Sequence, residues 1–61
     1  MEKKKVTVTA ALATYNEEEN IQRCLDSVSS WVNEIVVIDG GSTDKTREIA
    51  RKYAAKVIQT D

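Results

Sequence analysis

The sequence predicts an α/β fold: a βαβαβ unit whose three parallel strands lie in the order 3-2-1, one half of a doubly wound, three-layer sheet. Three observations carry that expectation. Ile35-Val36-Val37-Ile38 is an aliphatic run without polar alternation, the pattern of a strand covered on both faces. Stretches with apolar residues at helical spacing lie before and after it, around Ile21 to Val28 and around Thr46 to Tyr53. Each predicted passage from strand to helix is marked by turn-forming and helix-opening residues, Thr14-Tyr15-Asn16 in the first case and Asp39-Gly40-Gly41-Ser42-Thr43-Asp44 in the second.

The first strand is expected over Val6 to Ala13, with Val6, Val8, Ala10 and Leu12 on one face and Thr7, Thr9, Ala11 and Ala13 on the other, small enough to lie beneath a helix. Asn16 then reads as an N-cap paired with Glu19 in a capping box, and Glu17, Glu18 and Glu19 place negative charge at the positive end of the helix dipole. The first helix is expected from Glu17 to Ser30, with Ile21, Cys24, Leu25 and Val28 as its buried stripe and Trp31 and Val32 closing the end against the sheet. Cys24 reads as a buried small residue, not a nucleophile. The second strand runs from Ile35 to Ile38. The second helix is placed from Thr43 to Ala54, with Thr46, Ile49, Ala50 and Tyr53 inward and Lys45, Arg47, Glu48, Arg51 and Lys52 in water. Lys56 to Thr60 opens a third strand. Right-handed crossovers then give the Rossmann-like order 3-2-1, and the chain reads as the N-terminal segment of a larger domain.

Composition narrows the function. A chain of 61 residues makes at most one small domain and buries only about 60% of its unfolded surface. A single cysteine and no histidine provide neither a disulfide nor a structural zinc set. Nine basic and ten acidic residues, a net charge of −1, argue against a nucleic-acid platform. No apolar run approaches the roughly 20 residues of a membrane-spanning helix. The basic start, Met1-Glu2-Lys3-Lys4-Lys5, is not followed by the apolar core of a signal peptide, which points to the cytoplasm.

Chemistry is expected where parallel strands end side by side. Thr14, Tyr15, Asn16 and Glu17 at the first tip should lie beside Asp39, Gly40, Gly41 and Ser42 at the second, where open α/β sheets bind ligands. Carboxylates and a phenol there could hold a base and a ribose, and amides at a helix start could meet phosphate. The first loop lacks the glycines of a dinucleotide fingerprint, and no Gly-Lys-Ser/Thr run marks a P-loop. Each residue also has a plainer reading: Asp39 as a turn-maker, Tyr15 as packing, Glu17 as a dipole charge, Asn16, Thr43 and Asp44 as parts of helix starts, Gly40 and Gly41 as conformational residues, and Tyr53 as core.

Two motifs at these tips, Ala13-Thr14-Tyr15-Asn16-Glu17-Glu18-Glu19-Asn20-Ile21 and Glu34-Ile35-Val36-Val37-Ile38-Asp39-Gly40-Gly41-Ser42-Thr43-Asp44, resemble the start of a family 2 glycosyltransferase, nearest the bacterial lipopolysaccharide-core and cell-wall branch. The resemblance runs from Val6 to Ile58. It implies a GT-A fold in which residues 1–61 form the nucleotide half of a sugar-nucleotide site, with Thr14, Tyr15, Glu17, Asp39, Gly40, Gly41 and Ser42 as the candidate nucleotide-binding set. It implies no catalytic or metal-binding residue in this segment, because the family's Asp-x-Asp motif and catalytic base lie downstream; the Mg or Mn ion belongs to the full-length enzyme. The implied partner is a UDP- or GDP-type sugar nucleotide, the implied acceptor a glycan or lipid-linked sugar, and the implied location the cytoplasm, at the inner membrane face for the full-length protein. Gly40 stands where many members carry a second acid that contacts uracil, and Ala54 where many carry a helix-ending glycine. A non-catalytic nucleotide-binding or structural βαβαβ module remains the alternative. In the full fold the first strand is expected to be interior, with a further strand beside it; without that strand the apolar Val6-to-Ala13 edge is expected to drive self-association, as an antiparallel pairing of two such edges across a two-fold axis.

Overall fold

The computed structural model describes residues 7–60. Its elements follow one another as β1 (Thr9–Thr14), α1 (Glu18–Ser29), β2 (Glu34–Asp39), α2 (Thr46–Lys52) and β3 (Lys56–Gln59). All pairings are parallel, with β2 central; Thr14 lies opposite Asp39, and Asp39 opposite Gln59. The expected order is therefore the observed one, and three strand tips end together at one edge.

Both helices lie on the same face of the sheet. Ile21 and Leu25 of α1, Ala50 of α2, and Ile35 and Val37 of β2 form one buried cluster, with Leu12, Val28 and Val57 packed against it. The opposite face is open among the described residues: Ala11 and Ala13 are exposed, and Ile38 and Ile58 are 39% and 42% exposed. The described residues thus supply two of the three expected layers. The aliphatic run of β2 is buried on alternate residues only, and no helix among the described residues covers Ala11 and Ala13.

Element ends moved for identifiable reasons. Val6, the expected start of the first strand, lies outside the described residues; β1 begins at Thr9 and continues to Thr14, whose carbonyl accepts the Gly40 amide at 2.8 Å. The second helix starts three residues later than expected, at Thr46, because Ser42, Thr43 and Asp44 bond to other parts of the chain. It ends in a Schellman arrangement. The Ala55 amide reaches the Ala50 carbonyl at 3.3 Å, the Ala54 amide reaches that of Arg51 at 3.1 Å, and Ala54 sits at φ 59°. A residue with a Cβ pays about 1 kcal/mol for that left-handed position, which a glycine avoids.

Two apolar placements differ from expectation. Cys24 is exposed, because it sits on the flank of α1 toward the β1 edge and not on the Ile21–Leu25 stripe. Trp31 is 64% exposed and folds back along its helix, its indole N–H donating to the Ser27 carbonyl at 3.1 Å, so Val32 alone closes that end of the core.

Candidate functional site

The site grows from the burial of one carboxylate. Asp39 ends the central strand with Thr14 on one side and the end of β3 on the other, and it is fully buried. A buried charge persists only if its lone pairs are used. Oδ1 accepts the hydroxyls of Thr14 at 2.8 Å and Ser42 at 2.5 Å; Oδ2 accepts the amides of Ser42 at 2.7 Å and Gly41 at 3.1 Å. The Arg47 guanidinium stands 3.9 Å from Oδ2. Burial works to raise the Asp39 pKa, but the hydrogen bonds from Ser42, Thr14 and Gly41 outweigh it and hold the carboxyl at about 2. Asp39 is therefore a fixed anion that folds the loop after β2 around itself.

Gly41 makes that loop possible. Its φ of 96° is a region L side chains rarely adopt. Gly40 is different: a Cβ there would meet the Thr14 carbonyl at 3.6 Å and the Tyr15 ring at 3.8 Å, which is ordinary contact. Its lack of a side chain leaves surface open beside Tyr15, and the conformational role expected for both glycines belongs to Gly41.

The two loops are stitched together. Asn16 does not cap α1. At φ 50° it turns its side chain across, so that Oδ1 accepts the Thr43 amide at 2.8 Å while its own amide donates to Ser42 Oγ at 2.8 Å. Residue Glu17 occupies the N-cap position without a side-chain cap. The open amides at the start of α1 are met from across the gap instead: that of Glu17 by Oγ1 of Thr46, the first residue of α2, at 2.8 Å, and that of Glu18 by Asp44 Oδ2 in the loop before it at 3.1 Å. Glu18 reciprocates by accepting the Lys45 amide at 3.0 Å, and Asp44 accepts the Thr46 amide at 3.0 Å and the Thr46 hydroxyl. The bond from the Thr46 hydroxyl, with smaller help from the Thr46 and Glu18 amides, lowers the Asp44 pKa.

Arg47, expected in water, instead pins the third tip. It donates to the Ser42 carbonyl at 3.1 Å and to the Gln59 side chain, while Thr60 donates its amide to the Asp39 carbonyl at 2.7 Å. Sequence reasoning missed this residue because its partners, Asp39, Ser42 and Gln59, meet only once three strands are aligned.

All seven candidate residues come to the same end of the sheet, but they divide in two. Thr14, Asp39 and Ser42 are buried within the network. Tyr15 is 60% exposed, Glu17 is half-buried, and Gly40 lies open beside the Tyr15 ring. A shallow groove of about 130 Å³ begins at Thr14 and Glu17 and runs along Leu12, Asn20, Ile21 and Cys24. Among the described residues no group of three or more His, Cys, Asp or Glu is placed to hold a metal ion, and no helix is long and apolar enough to cross a membrane.

Comparison with known proteins gives concordant matches. Residues 9–61 match the family model of Glycosyl transferase family 2. Glycosyltransferase AglE of Haloferax volcanii is 44% identical over 52 residues, covering 77% of this chain and 17% of the relative. The SPbeta prophage-derived glycosyltransferase SunS of Bacillus subtilis is 44% identical over 45 residues, covering 74% and 11%. Among solved structures, glucosyl-3-phosphoglycerate synthase from Mycobacterium tuberculosis, in complex with Mn²⁺, UDP and glucosyl-3-phosphoglycerate, superposes with a TM-score of 0.76 at 37% identity, covering 87% of this chain and 20% of that one. The same enzyme has been solved with Mg²⁺ and UDP, at a TM-score of 0.75. The chain thus spans a fifth or less of the length of these relatives.

Proposed function

The chain belongs to glycosyl transferase family 2, and from that premise we propose that residues 1–61 are the N-terminal, nucleotide-binding half of a GT-A domain. The parent protein transfers a sugar from a UDP- or GDP-type donor to a glycan or lipid-linked acceptor, working from the cytoplasmic side of the membrane. The acceptor class and a role in cell-wall or lipopolysaccharide biogenesis rest on the sequence resemblance alone.

One observation carries the reading. At the end of the sheet where open α/β folds take ligands, an exposed aromatic ring stands beside a residue without a side chain, on a base that is rigidly cross-bonded. In this reading Tyr15 offers its ring to the base, Gly40 leaves room for it, and the Glu17 carboxylate accepts from ribose hydroxyls or base N–H groups. Thr14, Asp39, Gly41 and Ser42 contribute by holding the two loops in place. That UDP occupies solved structures similar to this chain supports the ligand class.

The described residues do not fit the divalent cation that the full-length enzyme would use. Both Asp39 carboxylate oxygens are taken, and no acidic cluster stands beside them. A cation would neutralise the departing diphosphate, and this segment has no step of its own in that event. It binds and orients, and by itself it should not catalyse transfer. Among the described residues the outer edge of β1 is unpaired, and self-association of this segment through it is part of the proposal.

The test is amide NMR of the labelled chain during titration with UDP and GDP, with and without Mg²⁺. Shifts confined to residues 15–17 and 40–42 are expected, and they should be unchanged by Mg²⁺. Dispersed spectra that do not respond to either nucleotide would overturn binding by this half alone.

A further inference from the structure

Three consecutive amides after β1 are held from the other side of the site. Those of Asn16, Glu17 and Glu18 donate to Ser42 Oγ at 2.8 Å, Thr46 Oγ1 at 2.8 Å and Asp44 Oδ2 at 3.1 Å. The first two contacts are built alike. The Ser42 hydroxyl gives its one hydrogen to Asp39 Oδ1, and the Thr46 hydroxyl gives its own to Asp44 Oδ1. An ionised carboxylate only accepts, so each hydroxyl is turned with a lone pair toward the amide. The carboxylate behind it also polarises the hydroxyl, which strengthens the contact.

Thr46 is the unexpected member of this set. It stands on the inward side of α2 with Ala50, and it is fully buried. Valine has nearly the same shape, so packing alone does not call for a hydroxyl there. What the hydroxyl does is serve a residue 29 positions away. The Glu17 peptide is fixed on both sides: its amide ends on Thr46, and its carbonyl accepts the amides of Asn20 at 2.9 Å and Ile21 at 2.7 Å. At φ −105° and ψ 24°, and without a side-chain cap, Glu17 lies outside the regular helix that it precedes. The direction in which its side chain leaves, at the mouth of the groove beside Thr14, therefore follows from these bonds.

We propose that Thr46 is a positioning residue of the donor site: its hydroxyl, oriented by Asp44, fixes the peptide from which Glu17 presents its carboxylate to the nucleotide. This rests on the role given to Glu17 above and adds to it a buried residue that touches no ligand. A plain helix cap would cost stability wherever it is removed. A positioning residue affects binding only while Glu17 is there to be positioned.

The experiment measures the affinity of the 61-residue chain for UDP and GDP by amide NMR titration, with urea midpoints read in parallel. Thr46→Val is expected to weaken binding about tenfold, the worth of one hydrogen bond to a charged group, and Thr46→Ser to retain it. Glu17→Ala should weaken binding to a similar extent. Adding Thr46→Val to Glu17→Ala should lower the urea midpoint without weakening binding again. Wild-type affinity in Thr46→Val would overturn the proposal. So would a further loss of similar size in the Glu17→Ala background, which makes Thr46 a structural cap alone. If Thr46→Val does not fold, Asp44→Asn decides: its amide oxygen still takes the Thr46 contacts, but its NH₂ group meets the Glu18 amide, donor against donor. Weaker binding that vanishes as an effect once Glu17 is alanine is expected there, and unchanged affinity would overturn the proposal. A wild-type chain that binds neither nucleotide overturns the reading of the site and this proposal with it; a wild type that binds, with variants that bind equally well, overturns this proposal alone.

Discussion

The loop after β1 and the loop after β2 sit side by side at one end of the sheet, and each leads from a strand into a helix, yet they are used in opposite ways. The second loop faces inward: Asp39 and Ser42 are buried, and Gly41 adopts a conformation that only glycine adopts easily. The first faces outward, with Tyr15 exposed and Glu17 half-buried. The difference follows from strand order. β2 is central, so its tip is enclosed by β1 and β3, and a carboxylate there must collect internal donors. Among the described residues β1 has a neighbour on one side only, and the residues after it keep their access to solvent. A framework loop and a presenting loop thus arise from the same local topology.

The largest expected effect comes from breaking the framework. Asp39→Ala leaves the Thr14 and Ser42 hydroxyls and two amides without their acceptor, a loss of about 3 kcal/mol. For a domain this small that is most of its stability, so the dispersed amide spectrum should collapse. Acid should act on the same group more gradually. The Asp39 carboxyl is held at about 2, below its ordinary 3.8, so its contribution is complete above about pH 4 and is lost as the pH falls through 2. Urea midpoints measured from pH 5 downward should fall in that window, and Asp39→Asn should flatten the dependence. Adjacent glycines should differ next: Gly41→Ala is expected to cost about 1 kcal/mol or more, whereas Gly40→Ala should stay within about 0.5 kcal/mol, both read as shifts in the urea midpoint. The smallest stability effect belongs to the presenting loop. Tyr15→Ala should change stability by no more than about 0.5 kcal/mol while abolishing the nucleotide-induced shifts, and a full response in that variant would remove Tyr15 from the site.

Strand and helix existence was legible because periodicity reports burial directly. The inward stripe of α2 and the strand order were also read correctly, and Ala54, where many relatives carry a helix-ending glycine, is the residue that takes the left-handed position. Cys24 and Trp31 were expected inward and are exposed, and two further departures fell where distant segments share one hydrogen bond. Asn16 has every local mark of an N-cap, but its acceptor is used by Thr43, 27 residues away. Arg47 looks like a wet residue on an exposed face until Gln59 and Ser42 come within its reach.

The sequence by itself determined the βαβαβ order, the family, and the end of the sheet at which seven candidate residues would meet. Those follow from local pattern, from motif, and from the handedness of parallel crossovers. Only the tertiary structure decided which of the seven turn inward, because burial of a side chain depends on what stands beside its strand. It also decided that the start of α1 is capped by Asp44 and by Thr46 at the start of α2, since an open amide donates to whichever oxygen the packed chain brings to it.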